Sequence, residues 1–456
     1  MTPGLANLNS VFATTTGTRL EGEVASVSGL LLTVRGLGGF LGIGQHCLVH
    51  GANGPVRGEV VSIQSLGCSV LPFGNWDGVT EGDPVEVQTG GSTLRPHDAW
   101  IGRVVNAFGM PVDGKGPLQN GTAQRCARNA PPPAYARRRT GARLSTGVSS
   151  IDVFAPLCRG QRMGIFAGPG VGKSTLIAKL AMQAQADVVV IGLIGERGRE
   201  LQDFVQRDLG PIGMARSVIV VATGDEPALT RRQAAWTATA VAEHFRDSGR
   251  HVLLILDSVT RFAHAQREIG LATGEPPAQR SFPPTVFAEL PRLVERSGPG
   301  SQQQGDITAL YTVLAEGDNL DDPISDGVRG MLDGHILLDR TIAESGRFPA
   351  VDLLRSVSRM LPGCHSDQEN AMLRQAREAL SLYEKMADLI RLGAYQKGSD
   401  ASIDRAVAVR GTLEARLIQD GNQNVSAEEA FEALATALAD TEQNDRPAGF
   451  AHPSAK

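Results

Sequence analysis

Hydrophobic and polar positions change rhythm three times along the chain. Between residues 18 and 95, Val, Leu and Gly alternate with polar residues in short runs at 21–27, 30–34, 47–49, 58–63, 68–71 and 84–87. Two-residue alternation marks strands with one buried face, and six such runs separated by turn residues predict a small closed β-barrel. From about 160 to 340 the apolar runs become nearly continuous, at 162–166, 188–193, 218–222, 252–256, 307–314 and 334–338. Amphipathic stretches separate them at 174–184, 199–209, 227–247, 260–269 and 284–297. Strands apolar on both faces, alternating with helices, predict a mostly parallel α/β sheet. After 366 the period is helical: Ala371, Leu373, Ala376, Leu380, Leu382 and Met386 fall along a helix over 368–391. Further helices fit 402–417 and 427–438, so the chain is expected to finish in a small helical bundle.

The joins are less regular. Residues 102–109 read as a strand and 111–114 as a turn, leading into the main domain. Pro131 to Pro133 and Arg137 to Arg139 mark an exposed connector. Three arginines make a small patch, so a solvated loop is expected there rather than a polyanion site. Leu5, Leu8, Val11 and Phe12 have helical spacing in a stretch too short to be stable alone. A frayed terminus and a partner-binding helix both remain open for it. The polar, proline-bearing tail reads as disordered. The division expected is therefore a segment 1–17, a barrel 18–95 of the kind that serves oligomerisation, an α/β domain 96–365, helices 366–443 and a tail 444–456.

Composition changes this picture little. A chain of 456 residues exceeds one ordinary core, and a 41% hydrophobic content fits a globular protein. The net charge of −5 gives no general attraction to nucleic acid or anionic lipid. No apolar run approaches a membrane span, and residues 1–10 lack the features of a secretory signal. Cys47, Cys68, Cys126, Cys158 and Cys364 are scattered, which reads as reduced thiols of a cytoplasmic protein.

The chemistry concentrates in one stretch, where a buried strand runs into Ala167-Gly168-Pro169-Gly170-Val171-Gly172-Lys173-Ser174-Thr175 and then a helix. Strand, glycine-rich loop and helix together make a P-loop, an ATP- or ADP-binding cradle. Glycines let backbone N–H groups turn toward phosphate oxygens, and the helix presents its positive end to the same anion. Lys173 is expected to reach the outer phosphates and Ser174 to hold Mg²⁺. Ala167 occupies the first glycine position of the strict pattern, so its φ must be negative. A second apolar run, 252–256, ends in Asp257, as a strand must to deliver a carboxylate to the Mg²⁺ shell beside the P-loop. Following the next strand, Gly195-Glu196-Arg197-Gly198-Arg199-Glu200 offers a carboxylate to polarise an attacking water. Glu196 is the stronger candidate; Glu200 competes, but inside the following helix a pairing or solvent role is more natural.

These motifs occur in order with 257–261 and 348–359, and the set resembles the catalytic subunits of the F-type and V-type ATPases. Within that superfamily, the segments 284–296, 311–319, 323–326, 330–336 and 393–400 resemble the flagellar type III export ATPases. The resemblance covers nearly everything beyond residue 20. It implies a RecA-like P-loop core, Mg²⁺-dependent ATP hydrolysis, and a homo-hexamer that energises flagellar protein export. By position it makes Glu196 the water-activating residue, where non-catalytic ring subunits carry glutamine. It makes Arg197 and Arg261 contacts of the terminal phosphate, Phe348 the aromatic that stacks on adenine, and Arg359 the arginine finger inserted by a neighbouring subunit. One chain carrying both Glu196 and Arg359 fits a ring of identical subunits.

The same resemblance implies a regulator at the N-terminal segment and chaperone–substrate complexes and a central stalk at the C-terminal bundle. An export gate at the membrane follows too, with a cytoplasmic position at the inner-membrane base of the export apparatus. The ATPase of a virulence injectisome shares every catalytic motif and stays open as the alternative. A rotary synthase β subunit is disfavoured because Leu392-Gly393-Ala394-Tyr395 stands where an acidic stretch is expected. A Rho-like RNA translocase is disfavoured by the acidic balance and the absence of a basic, aromatic barrel face.

Overall fold

The structure, a computed structural model, describes residues 20–444 apart from 38, 65–66, 89–90, 316–320 and 422. The expectations for the N-terminal segment and the tail, and the 316–319 part of the 311–319 resemblance, lie outside the described residues.

The six alternating runs fold as expected. Strands β1 (Glu21–Ser28), β2 (Leu31–Arg35), β3 (His46–Gly51), β4 (Gly54–Gln64), β5 (Gly67–Pro72) and β6 (Pro84–Val87) close a barrel in the order β1-β2-β5-β4-β3-β6. Its inward positions, among them Val24, Leu32, Val34, Val49, Val70 and Val85, are fully buried. The barrel is fastened to the rest by Glu59 of β4, which pairs with Arg232 at 2.6 Å with both side chains about 5% exposed.

The central sheet is built from β7 (Val104–Asn106), β8 (Arg162–Ala167), β9 (Val188–Glu196), β10 (Ser217–Thr223), β11 (Val252–Asp257), β12 (Asp306–Leu314), β13 (Gly334–Leu338) and β14 (Val357–Ser358). Their spatial order is β14-β13-β8-β12-β11-β9-β10-β7. All pairings along this path are parallel except that of the edge strand β14. The apolar runs are continuous because both faces are covered: Val189, Ile191 and Leu193 enter one core, Val188, Val190 and Ile194 the other. The first core includes helix α1 (Lys173–Gln183) and the C-terminal helices. The second is closed by α2 (Ala228–Asp247), α3 (Val259–Ala272) and α4 (Pro284–Val294).

The C-terminal helices are α5 (Asp367–Arg391), α6 (Ala401–Leu417) and α7 (Ala427–Asn444). Ser366 starts α5 with a capping box completed by Glu369. Leu373, Leu380, Val409, Leu413, Phe431 and Leu434 carry the bundle's apolar face into the α1 side of the sheet.

Three local readings change. The helix expected over 199–209 is broken: a helix Gly198–Asp203 passes through a wider π turn at Phe204–Leu209 before Gly210–Met214. The chain resumes at Gly210-Pro211, whose proline lacks the N–H that a continuing helix needs. Short helices at Pro323–Met331 and Arg340–Glu344 were not read from the sequence. The arginine connector is not a free solvated loop: Arg137 bonds Glu295 and Arg138 bonds Asp306 at 2.6 Å, tying it to the α/β domain.

Candidate active site

Four parallel strands, β8, β12, β11 and β9, end side by side, and the loops that follow β8 and β9 enclose a cleft of about 450 Å³. Ligand clefts of doubly wound sheets form at this carboxyl edge. Ala167 is the last residue of β8, fully buried with negative φ, so a glycine is not needed there. Gly170 and Gly172 do need to be glycine: φ is +80° and +88°. A Cβ on Gly170 would meet nothing within 4 Å, which leaves that turn of the loop open to a ligand. Gly168, Pro169, Gly170, Gly172, Lys173, Ser174 and Thr175 line the cleft, while Val171 is buried beneath the loop. Lys173 is the first residue of α1, and Ser174 and Thr175 are exposed in its first turn.

Two carboxylates converge on Lys173. Its Nζ bonds Asp257 Oδ1 at the end of β11 and lies 3.9 Å from Glu196 Oε1 at the end of β9. Asp257 is held in turn by Thr312 of β12, whose hydroxyl donates to Oδ1 at 2.6 Å. Glu196 is aimed by a bulge. β9 runs on to residue 196, past the 193 expected, because Gly195 adopts φ +72° and shifts the register between Ile194 and Glu196. A Cβ on Gly195 would stand 3.0 Å from Cβ and Cγ of Arg261, so the arginine stem fills the space that glycine leaves.

Burial above all, and then the Asp257 carboxylate, push the Glu196 carboxyl up to about 7; Lys173 pulls the other way and Glu200 adds to the rise. A carboxyl poised near neutrality is what a general base at this position requires.

The arginines divide by location. Arg261, from the first turn of α3, lines the cleft, and its buried Nε has no hydrogen-bond partner among the described residues. Arg197 also lines the cleft; it is largely exposed and 3.6 Å from Glu200. Glu200 does sit in the helix and pair there, as read, but it borders the cleft as well. Phe348 is 43% exposed, and its ring stands 3.5 Å from where a Cβ of Gly172 would lie, beside the P-loop. Arg359 is not among the residues lining this cleft. It is exposed just beyond the edge strand β14, its N–H bonded to Asp333 O at 2.9 Å.

The sequence reading missed the supports. Thr312 lies in a quoted motif but received no role, because nothing in a buried β-strand marks which threonine faces a carboxylate. Lys179 and Gln419 were not singled out. Lys179 is 2% exposed and donates to Asp420 O at 3.0 Å, joining α1 to the loop after α6.

The donor set suits a nucleoside triphosphate with a divalent cation. An open glycine cradle, a lysine and the Arg261 side chain line one cleft, with a hydroxyl and a carboxylate flanking the lysine. Among the described residues no group of three His, Cys, Asp or Glu side chains could hold a metal by itself.

Residues 147–358 match the model of the ATP synthase alpha/beta family nucleotide-binding domain, and 365–436 that of the T3SS EscN ATPase C-terminal domain. A flagellum-specific ATP synthase of Caulobacter vibrioides is 49% identical over 92% of this chain and 96% of its own. A type 3 secretion system ATPase of Xanthomonas euvesicatoria is 42% identical over 92% of this chain and 95% of its own. Among solved structures, the assembled ATPase EscN of enteropathogenic E. coli in complex with its central stalk EscO superposes with TM-score 0.83 at 37% identity, covering 91% of this chain and all of that one. With such identity sustained over nearly its whole length, the chain belongs to the flagellar type III export ATPase family within the ATP synthase α/β superfamily.

Proposed function

We propose that this chain hydrolyses ATP to energise export of flagellar proteins through a type III secretion apparatus. The observation that carries this reading is Lys173 held between Asp257 and Glu196 at the mouth of the glycine cradle. The backbone of 167–172, with Lys173, cradles the β- and γ-phosphates. Ser174 and Asp257 are the residues that would hold Mg²⁺, which supplies charge neutralisation between phosphate oxygens. Glu196, ionised, accepts the proton of a water aimed at the γ-phosphorus. Arg261 and Arg197 meet charge developing on the terminal phosphate, and Phe348 stacks on the base.

Arg359 has no place in its own chain's cleft, so it serves the cleft of an adjacent copy in a homo-hexamer. A finger supplied across a seam makes hydrolysis conditional on assembly. EscN is described as assembled and bound to a central stalk; a stalk partner at the C-terminal helices fits the same arrangement here. Among the described residues no helix is long and apolar enough to cross a membrane. A peripheral position at the cytoplasmic base of the export apparatus suits such a chain. The barrel serves ring formation, and chaperone–substrate complexes dock on α5–α7.

The test is a chromosomal Lys173→Ala variant. Loss of flagellar filaments with normal protein levels is the expected result. Intact filaments together with a block in effector secretion would instead support the injectisome reading, which the Xanthomonas relative keeps in view.

A further inference from the structure

Phe348 is held by the loop that follows α6 and, through the residue before it, by α6 itself. Its carbonyl oxygen accepts the N–H of Gln419 at 2.9 Å, in the loop that follows α6. The residue before it, Arg347, is 3% exposed, and its Nε lies 2.6 Å from Glu414 Oε2, on the last turn of α6. Arg347 Nη2 donates to Val351 O at 2.8 Å, which closes the loop around Phe348, while Nε, though ion-paired with Glu414, and Nη1 make no hydrogen bond among the described residues. Burial lowers the basicity of this guanidinium, opposed first by Glu414. A buried arginine of this kind depends on a close carboxylate for its position, and among the described residues Glu414 is the one ion-paired with it. Gln419 itself is fixed: its side-chain oxygen accepts Ser149 N–H at 2.8 Å and its amide donates to Gly147 O at 3.1 Å.

We infer that the Glu414–Arg347 pair positions Phe348 for the nucleotide base, so that α6 sets base affinity although it touches no nucleotide. The inference rests on the reading of Phe348 as the base-stacking residue. Its geometry is specific: the phosphate cleft is built from β8, β9, β11, α1 and α3, whereas Phe348, beside the P-loop but outside the lining of that cleft, hangs on a loop whose backing comes from another helical layer. Displacing α6 therefore moves the base contact and leaves the phosphate cradle in place. Conversely, a base seated on Phe348 pulls on α6 through Arg347. Glu414 is a positioning residue, not a catalytic one.

The experiment compares ADP with inorganic tripolyphosphate, a ligand without a base, as competitive inhibitors of ATP hydrolysis by the full chain. In Glu414→Gln, the ADP inhibition constant is expected to weaken about five- to tenfold and KM for ATP to rise similarly, with kcat changed less than about twofold. The tripolyphosphate constant is expected to stay put. Glu414→Asp keeps the charge at shorter reach and is expected to recover most of the ADP affinity, so the two variants give one reading at two strengths. Equal weakening of ADP and tripolyphosphate, or no change in either, overturns the inference. Phe348→Ala separates the two layers of the claim. If it weakens ADP selectively while Glu414→Gln does not, the positioning role fails and the stacking role stands. If neither variant is selective, the stacking role fails as well.

Discussion

Glu196 carries the sharpest residue-level consequences. Its carboxyl titrates near 7, and a base must be ionised to take a proton. Hydrolysis is therefore expected to fall about tenfold per pH unit below 7 and to flatten above it, measured as kcat/KM, the quantity that reports the groups of the free enzyme. Glu196→Gln removes the acceptor and is expected to abolish turnover while nucleotide binding persists; normal hydrolysis by that variant contradicts the assignment. The stability sign is the reverse of the usual carboxylate. A carboxyl raised from 4.5 to about 7 binds more protons in the folded state than unfolded, so its contribution to stability falls as pH rises through that window. Glu196→Gln is accordingly expected to melt a few degrees higher than the parent at pH 8, and no higher at pH 4. Gly195 is the companion test. Alanine there meets both a positive φ and the Arg261 stem, and should cost roughly 1–3 kcal/mol and most of the turnover.

At the scale of elements, what was legible depended on how local the signal was. The P-loop is legible because strand, loop and helix are contiguous, and Ala167 at the first glycine position has the negative φ that its Cβ requires. The end of β9 was read short, because Gly195 in a bulge looks like a terminator when only the apolar run is followed. The helix after it was read as one piece, since apolar spacing alone gives no warning of a π turn. Pairings between distant segments left no trace at all. Gln419 meets Ser149 and Gly147 across about 270 positions, and no periodicity within either stretch encodes that. Gln419→Ala strips partners from a buried N–H and a buried carbonyl, so it should lower stability by about 2–4 kcal/mol, read as a drop in unfolding midpoint at unchanged m-value. An unchanged midpoint would show that the loop after α6 is not held as described.

For the whole molecule, among the described residues, three large cores share one frame, the barrel and the two faces of the sheet, and a smaller cluster of Leu71, Phe73, Leu229 and Ile269 lies between the barrel and the α/β domain. The barrel and the α/β domain are joined through the buried Glu59–Arg232 pair, where Arg232 also lies over the Trp236 ring at 4.3 Å. Glu59→Gln leaves that arginine without its charge partner and should destabilise by about 3–5 kcal/mol. The cleft brings Glu196, Lys173, Ser174 and Asp257 together from one chain, with Arg359 exposed beyond the β14 edge of the sheet. Hydrolysis is thereby predicted to rise in specific activity with protein concentration as copies associate; a flat profile over the range where the oligomer forms would count against it.

The most direct measurement of that claim mixes two inactive variants. Arg359→Ala keeps Glu196, and Glu196→Gln keeps Arg359, so an equimolar mixture places an intact cleft against an intact arginine at about a quarter of its seams if copies assemble at random. Partial recovery of ATP hydrolysis, absent from either variant alone, is the result predicted. Mixed assemblies as inactive as their components would contradict a site completed by a neighbouring copy.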